Sequence, residues 1–320
     1  MEEYKKNIIA FSQVKGIGAS FMKQNIHLIH NYKDNLEMLS SISNKVTFSD
    51  LEANKINVEK IINDCLENNI QILTFIDTEY PKNLLEIKDP PPVIYWKGNY
   101  NLLSKAIAII GTRKSTDLGN KIAAKLGTYF CQNWAICNGL VDGIDKNAVF
   151  INNEILPNVI GILSGGLNFE KTSSKVTKEL ASKVLAKNGL LISEQEPNKK
   201  EDQFSGSKAS RIQAGLSKGL ILTQSSINGG SKYTLKTFSE VKRPIGVVAY
   251  ELNAEYQESE EFSANRLLIS ENEKGLLKMC DIKKNENIKT SQIIKIAGIS
   301  DYNVFENSII QPSVLSKVIL

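Results

Sequence analysis

Apolar runs begin at Ile107, Trp134, Val159, Leu190, Leu220 and Ile245, so from residue 107 onward one recurs every 25 to 31 residues. That interval holds one strand, one helix and the two loops joining them. The first run, Ala-Ile-Ala-Ile-Ile at 106–110, shows no polar alternation. Such a strand is buried on both faces, the habit of a parallel sheet covered by helices. Between the runs, segments 145–156, 175–185 and 231–241 can each be helical. Six strands with right-handed crossovers make an α/β chain with a doubly wound parallel sheet.

Ligands of such sheets collect at the carboxyl ends of the strands. Those loops fall at 111–115, 138–145, 164–168, 193–197 and 223–231, and four of the five contain glycine. In the first unit Gly111 ends the strand, and Ile122, Ala123, Leu126 and Phe130 lay an apolar stripe along a following helix. Loop residues Thr112, Arg113, Lys114 and Ser115 suit a phosphate, and the N–H groups at the helix start favour anions. The competing reading is a plain turn with a solvated arginine. The loop is not the dinucleotide fingerprint, because Arg113 stands where a second glycine is needed. From the other loops Gly143, Lys146, Gly165, Gly166, Gly230 and Ser231 join the candidate anion rim, their backbone amides free to approach a phosphate.

At 320 residues the chain can bury a full core and divide into domains. Residues 1–68 read as an N-terminal helical module, 69–282 as the α/β core, and 283–320 as a tail of unassigned fold. Val14-Lys15-Gly16-Ile17-Gly18 has the layout of a helix-hairpin-helix turn, or of a tight connection needing positive φ. The net charge of +4 permits nucleic-acid binding without arguing for it. Only four of the 39 basic residues are arginine, Arg113, Arg211, Arg243 and Arg266, and lysine cannot copy a bidentate fork on phosphate. Cys65, Cys131, Cys137 and Cys280 lack ligand spacing and read as buried free thiols. His27 and His30 read as helix surface. No apolar run reaches membrane-span length and the first residues lack a signal-peptide layout, so the expectation is a cytoplasmic protein.

An ordered series of motifs carries a resemblance. Tyr80-Pro81 with Leu84 and Ile87, Asp89-Pro90-Pro91, a strand ending Lys97-Gly98, and Ile109-Ile110-Gly111-Thr112-Arg113 resemble the DNA-processing protein A (DprA, or Smf) family. Asn138-Gly139-Leu140-Val141-Asp142-Gly143-Ile144-Asp145, the run from Ile160 to Asn168, Leu191-Ile192-Ser193-Glu194, and Arg211-Ile212-Gln213-Ala214-Gly215-Leu216-Ser217 continue the match in order. Gly230-Ser231 with Thr234 stands where the family has its Ser-Gly-Ser-x-x-Thr turn. Five polar positions depart from the pattern and mark a diverged member. Ala209 and Ser210 replace the signature's first arginine and asparagine, and Val149, Asn168 and Gln224 replace His, Asp and Glu.

The resemblance implies a Rossmann-like core preceded by a SAM-like or helix-hairpin-helix-like module. It further implies a homodimeric, non-enzymatic protein that binds single-stranded DNA and presents it to a RecA-type recombinase, in natural transformation or homologous recombination. Arg113 and Arg211 are the expected phosphate anchors, and no catalytic residue, metal or cofactor is assigned. Phe204, Phe169 and Tyr233 read as packing rather than as stacking faces. Two other readings share the pocket. One is a sensor of free nucleotides. The other is a hydrolase of nucleotide N-glycosidic bonds, against which Lys236 stands where related loops carry a carboxylate.

Overall fold

The computed structural model describes residues 1–283, 288 and 292–310. Its strands are β1 (Gln71–Thr74), β2 (Val93–Gly98), β3 (Ala106–Gly111), β4 (Ala135–Asn138), β5 (Phe150–Ile151), β6 (Glu154–Ile155), β7 (Val159–Ile162), β8 (Leu190–Ser193), β9 (Leu220–Gln224), β10 (Ile245–Val248) and β11 (Ile293–Ile296). Nine of them form one sheet in the order β1-β2-β8-β7-β4-β3-β9-β10-β11. The six strands expected from the apolar beat are all present and parallel. Alternate residues of β3 enter two cores on opposite faces: Ala106, Ala108 and Ile110 on one, Ile107 and Ile109 on the other. The Rossmann-like α/β class follows from that two-sided burial.

At one end β2 pairs antiparallel with β8, and β1 pairs antiparallel with β2 at the edge. At the other, β11 pairs in parallel with β10, and a helix at Ile299–Ile310 follows it. Residues 293–310 of the tail thus have a place in the sheet layer. Its residues 284–287, 289–291 and 311–320 lie outside the described residues.

The helix expected across 145–156 ends instead at Val149, and β5 and β6 form a small hairpin after it. Asn152 and Asn153 turn that hairpin with φ of 51° and 64°. Asparagine tolerates the left-handed region that a two-residue hairpin turn demands of both central residues.

Five helices, Glu3–Ser12, Ala19–Gln24, Ile26–Tyr32, Leu36–Ser40 and Phe48–Glu67, precede β1. Thr47 and Asp50 close a reciprocal capping box at the start of the longest. Polar contacts tie these helices to the sheet layer. The Tyr4 hydroxyl donates to Asp77 (2.5 Å), Lys5 lies 3.3 Å from the same carboxylate, and Gln13 Nε2 donates to Glu196 (3.0 Å). Among the described residues no helix is long and apolar enough to cross a membrane.

Candidate nucleic-acid interface

The chain runs from β3 outward to β4 and β7 on one side, and from β9 outward to β10 on the other. The sheet therefore has its topological switch point between β3 and β9, where the carboxyl ends open a crevice. A register shift at Ile110 and Gly111 turns the chain out of the ladder, and Thr112 N donates to the Gln224 carbonyl (2.8 Å). A side chain at 111 would put its Cβ 2.7 Å from that carbonyl. Gly143 has φ +83°, and a Cβ there would lie 2.7 Å from Arg113 Cα. The two glycines let the loops after β3 and β4 pack backbone on backbone, with Ile144 N donating to Thr112 O (3.1 Å).

The crevice encloses about 640 Å³ between loop 111–114, the Gly139–Asp145 loop, the first half of the helix Ser205–Leu216 and the start of the helix Ser231–Phe238. Its two cations, Arg113 and Lys114, are exposed and form no ion pair among the described residues. Among the described residues its one lining carboxyl is Asp145, which accepts from Gly139 N (2.8 Å). Burial lifts its pKa from 3.8 to about 7, against the opposing pull of its backbone donors and of Arg113. Ser231 lines the same crevice, is 7% exposed, and its hydroxyl has no hydrogen-bond partner among the described residues. The N–H groups of Gly230 and Ser231 donate to no backbone carbonyl among the described residues. A helix start with unused donors and an unpaired hydroxyl is suited to an anion.

The anion seat expected at the helix after β3 is already taken. That helix, Asp117–Phe130, is capped by Thr116 and carries Asp117 in its first turn. Gln224 further ties Thr116 by its amide, accepting from Thr116 N (3.0 Å) and donating to Thr116 Oγ1 (2.9 Å). The donors move to the helix after β9.

Of the expected rim, Gly111, Thr112, Arg113, Lys114, Gly230 and Ser231 meet in the crevice. Gly143 shapes it from behind. Ser115 instead donates to Asn120 (2.5 Å), and Lys146 pairs with Asp142 (3.6 Å). Gly165 and Gly166 are buried against Thr172 and the 196–199 segment, with Gly166 N donating to Lys199 O (2.8 Å). Arg211 does not enter the crevice: its guanidinium is held by Glu194 and by the carbonyls of Asp89 and Lys208. Arg243 and Arg266 likewise bind backbone carbonyls, of Ala214, Gly215 and Ser217 and of Tyr256 and Ser259.

Of the five departures from the family pattern, Ala209 and Ser210 line the crevice, whereas Val149 is core, Asn168 bonds Asn198 and Gln224 bonds Thr116. Phe204 (61% exposed) and Tyr233 (49% exposed) stand open on the crevice rim rather than packing, while Phe169 does pack on the core. Sequence reasoning passed over Ser207 and Gln213, which line the crevice with Ser210. Their recurrence every third residue on one helix face was the available signal.

Comparison with known proteins agrees with this fold. The family model described as DNA recombination-mediator protein A matches residues 71–285. The DNA processing protein DprA of Bacillus subtilis is 32% identical over 185 residues, 57% of this chain and 61% of that protein. Protein Smf of Synechocystis is 28% identical over 251 residues, 74% of this chain and 62% of that protein. The chain thus spans about three fifths of the length of these curated relatives. The X-ray structure of DprA from Streptococcus pneumoniae superposes with a TM-score of 0.67 at 19% identity, covering 95% of this chain and 98% of that one. DNA processing protein A from Helicobacter pylori, whose structure is described for its single-stranded DNA binding mode, gives a TM-score of 0.53 at 27% identity over 63% of this chain and 87% of that one.

Proposed function

This chain belongs to the DNA recombination-mediator protein A family, and from that premise we propose that it binds single-stranded DNA in the crevice between β3 and β9. The observation that carries the reading is the pairing of unneutralised cations with unused donors across one opening. Arg113 and Lys114 stand on one lip, and the Ser231 hydroxyl with the Gly230 and Ser231 amides on the other. Cations supply the salt-sensitive attraction to the phosphate chain, and the neutral donors fix a phosphate in register. Phe204 and Tyr233, exposed at the rim, offer faces on which bases can stack. In this reading Arg211 is a clamp on the helix Ser205–Leu216, not a phosphate anchor.

The protein acts as a binder rather than a catalyst. Each carboxylate near the crevice is already engaged: Asp142 with Lys146, Asp145 with Gly139 N, Glu194 with Arg211. Lys236, at the position where N-glycosidic hydrolases carry an acid, is exposed and off the crevice lining. Presentation of the strand to a RecA-type recombinase, and action as a homodimer, complete the reading; both rest on the family resemblance.

The decisive experiment is fluorescence anisotropy of a labelled single-stranded oligonucleotide, with a duplex competitor and a salt series, on wild type and Arg113→Ala/Lys114→Ala. Preference for the single strand, with a salt slope that the double variant lowers by about 1.4 for two lost phosphates, supports the reading. Indifference to DNA at low salt combined with binding of free nucleotides would turn it into the nucleotide-sensor reading, which Ala209 and Ser210 in the crevice wall favour.

A further inference from the structure

A second groove, of about 710 Å³, lies between the N-terminal helices and the core. It shares a wall with the crevice. The helix Ser205–Leu216 turns Ser207, Ser210 and Gln213 to the crevice, and Lys208 and Arg211 to the groove. Lys199 joins Lys208 on the groove lining, and both are exposed and form no ion pair among the described residues. The carboxylates of the groove are all occupied. Asp89 and Glu194 hold Arg211, and Glu196 accepts from Gln13. Asp202, on the ridge between the two openings, is tied to the amides of Phe204 and Ser205.

Resting on the single-stranded DNA reading, we propose that the strand held in the crevice continues over the 199–208 ridge into this groove, where Lys199 and Lys208 neutralise the next phosphates. The opposite wall suits bases rather than phosphates. Gln13 and Asn54 each commit their amide nitrogen, to Glu196 and to the Ala10 carbonyl. Each keeps a carbonyl oxygen that makes no hydrogen bond among the described residues, an acceptor for the exocyclic amines of unpaired bases. The groove thereby gives the N-terminal helices a part in binding, since one wall of the strand's path is theirs.

The test uses the full chain and labelled oligomers of mixed sequence from about 4 to about 16 nucleotides, the range of single-strand site sizes. Lys199→Glu/Lys208→Glu is compared with wild type and with Arg113→Ala. The double variant is expected to bind the shortest oligomer as wild type does and to lose about tenfold on the longest. Its salt slope on long oligomers should fall by about 1.4, the value for two phosphates on a single strand. Arg113→Ala should weaken every length. The proposal is overturned if the lysine variant matches wild type at all lengths, or if it loses the shortest oligomer as heavily as the longest. Wild type that ignores every length removes the DNA reading itself, whereas the first two results leave that reading standing.

Discussion

Arg211 and Glu194 form a bidentate ion pair, Nη1 to Oε1 at 2.8 Å and Nη2 to Oε2 at 2.5 Å, that ties the helix Ser205–Leu216 to the end of β8. The two side chains are 11% and 13% exposed. The remaining nitrogen donates to the Asp89 carbonyl (3.0 Å), so each guanidinium nitrogen has a partner. Removing one member strands the other charge, which costs about 3–5 kcal/mol at buried sites. Arg211→Ala should lower the unfolding free energy by that order in urea titrations. Arg211→Lys keeps the charge but loses the fork, and should be destabilised less. Its salt slope for DNA should equal that of wild type. Arg211→Ala should keep that slope too, and a slope lowered by about 0.7 in it would show that Arg211 touches a phosphate after all.

Asp145 predicts a pH dependence with a definite sign. Its folded pKa of about 7 lies above the ordinary 3.8 because burial penalises the charged form. Between about pH 4 and pH 7 the folded state therefore holds a proton that the unfolded chain has released. Stability from this group is complete below that window and is lost as pH rises through it, by at most about 4 kcal/mol. Asp145→Asn, which keeps an acceptor for Gly139 N, should flatten the profile of unfolding free energy against pH over that interval. Ionised Asp145 also faces the same crevice as Arg113 and Lys114. Oligonucleotide affinity should accordingly fall between about pH 6 and pH 8 in wild type and much less in Asp145→Asn.

What was legible beforehand follows from how far apart the cooperating residues lie in the chain. β3 announces itself within five residues, because burial on both faces leaves no polar position to misread. The crevice was legible as a set of loops for the same reason, since strand ends locate it without any knowledge of side-chain partners. Arg211 was not legible. Its signature marks an important arginine, but the partner that decides its role is 17 residues away on another element. β11 was hidden differently: Ile-Ile-Lys-Ile is only four residues, and what makes it a strand is the unpaired edge of β10. Phe204 and Tyr233 carry the composition of core residues, and only the placement of their helices shows them facing outward.

Ser231 separates folding from binding. Its buried hydroxyl has no partner among the described residues, so Ser231→Ala removes a polar group left unsatisfied there. Stability should be unchanged or rise, by up to about 1 kcal/mol. Affinity for a single-stranded oligonucleotide should fall by about 0.5–1.5 kcal/mol, the worth of one hydrogen bond. Parallel urea titration and anisotropy would show the opposite signs. A loss of stability without a loss of affinity would mean that the hydroxyl is structural.

Gly143 and Gly230 make the same distinction through backbone geometry. Alanine at 143 must adopt φ near +83° and set its Cβ against the Thr112 carbonyl and Arg113 Cα. Both penalties fall on the fold, of order 1–3 kcal/mol for the dihedral alone, and the displaced Arg113 weakens binding as a consequence. At Gly230 a Cβ would meet no atom of the described residues within 4 Å beyond its chain neighbours, and φ is −62°. Gly230→Ala should therefore fold with wild-type stability. If a phosphate approaches the 230–231 amides closely, the added methyl group obstructs it, and oligonucleotide affinity drops in a protein whose melting temperature has not moved. If Gly230→Ala binds like wild type, the phosphate lies nearer Arg113 and Lys114, and the helix start at Ser231 is a bystander. The contrast between the two glycines thus locates the anion within the crevice, because only one of them is required by the chain itself.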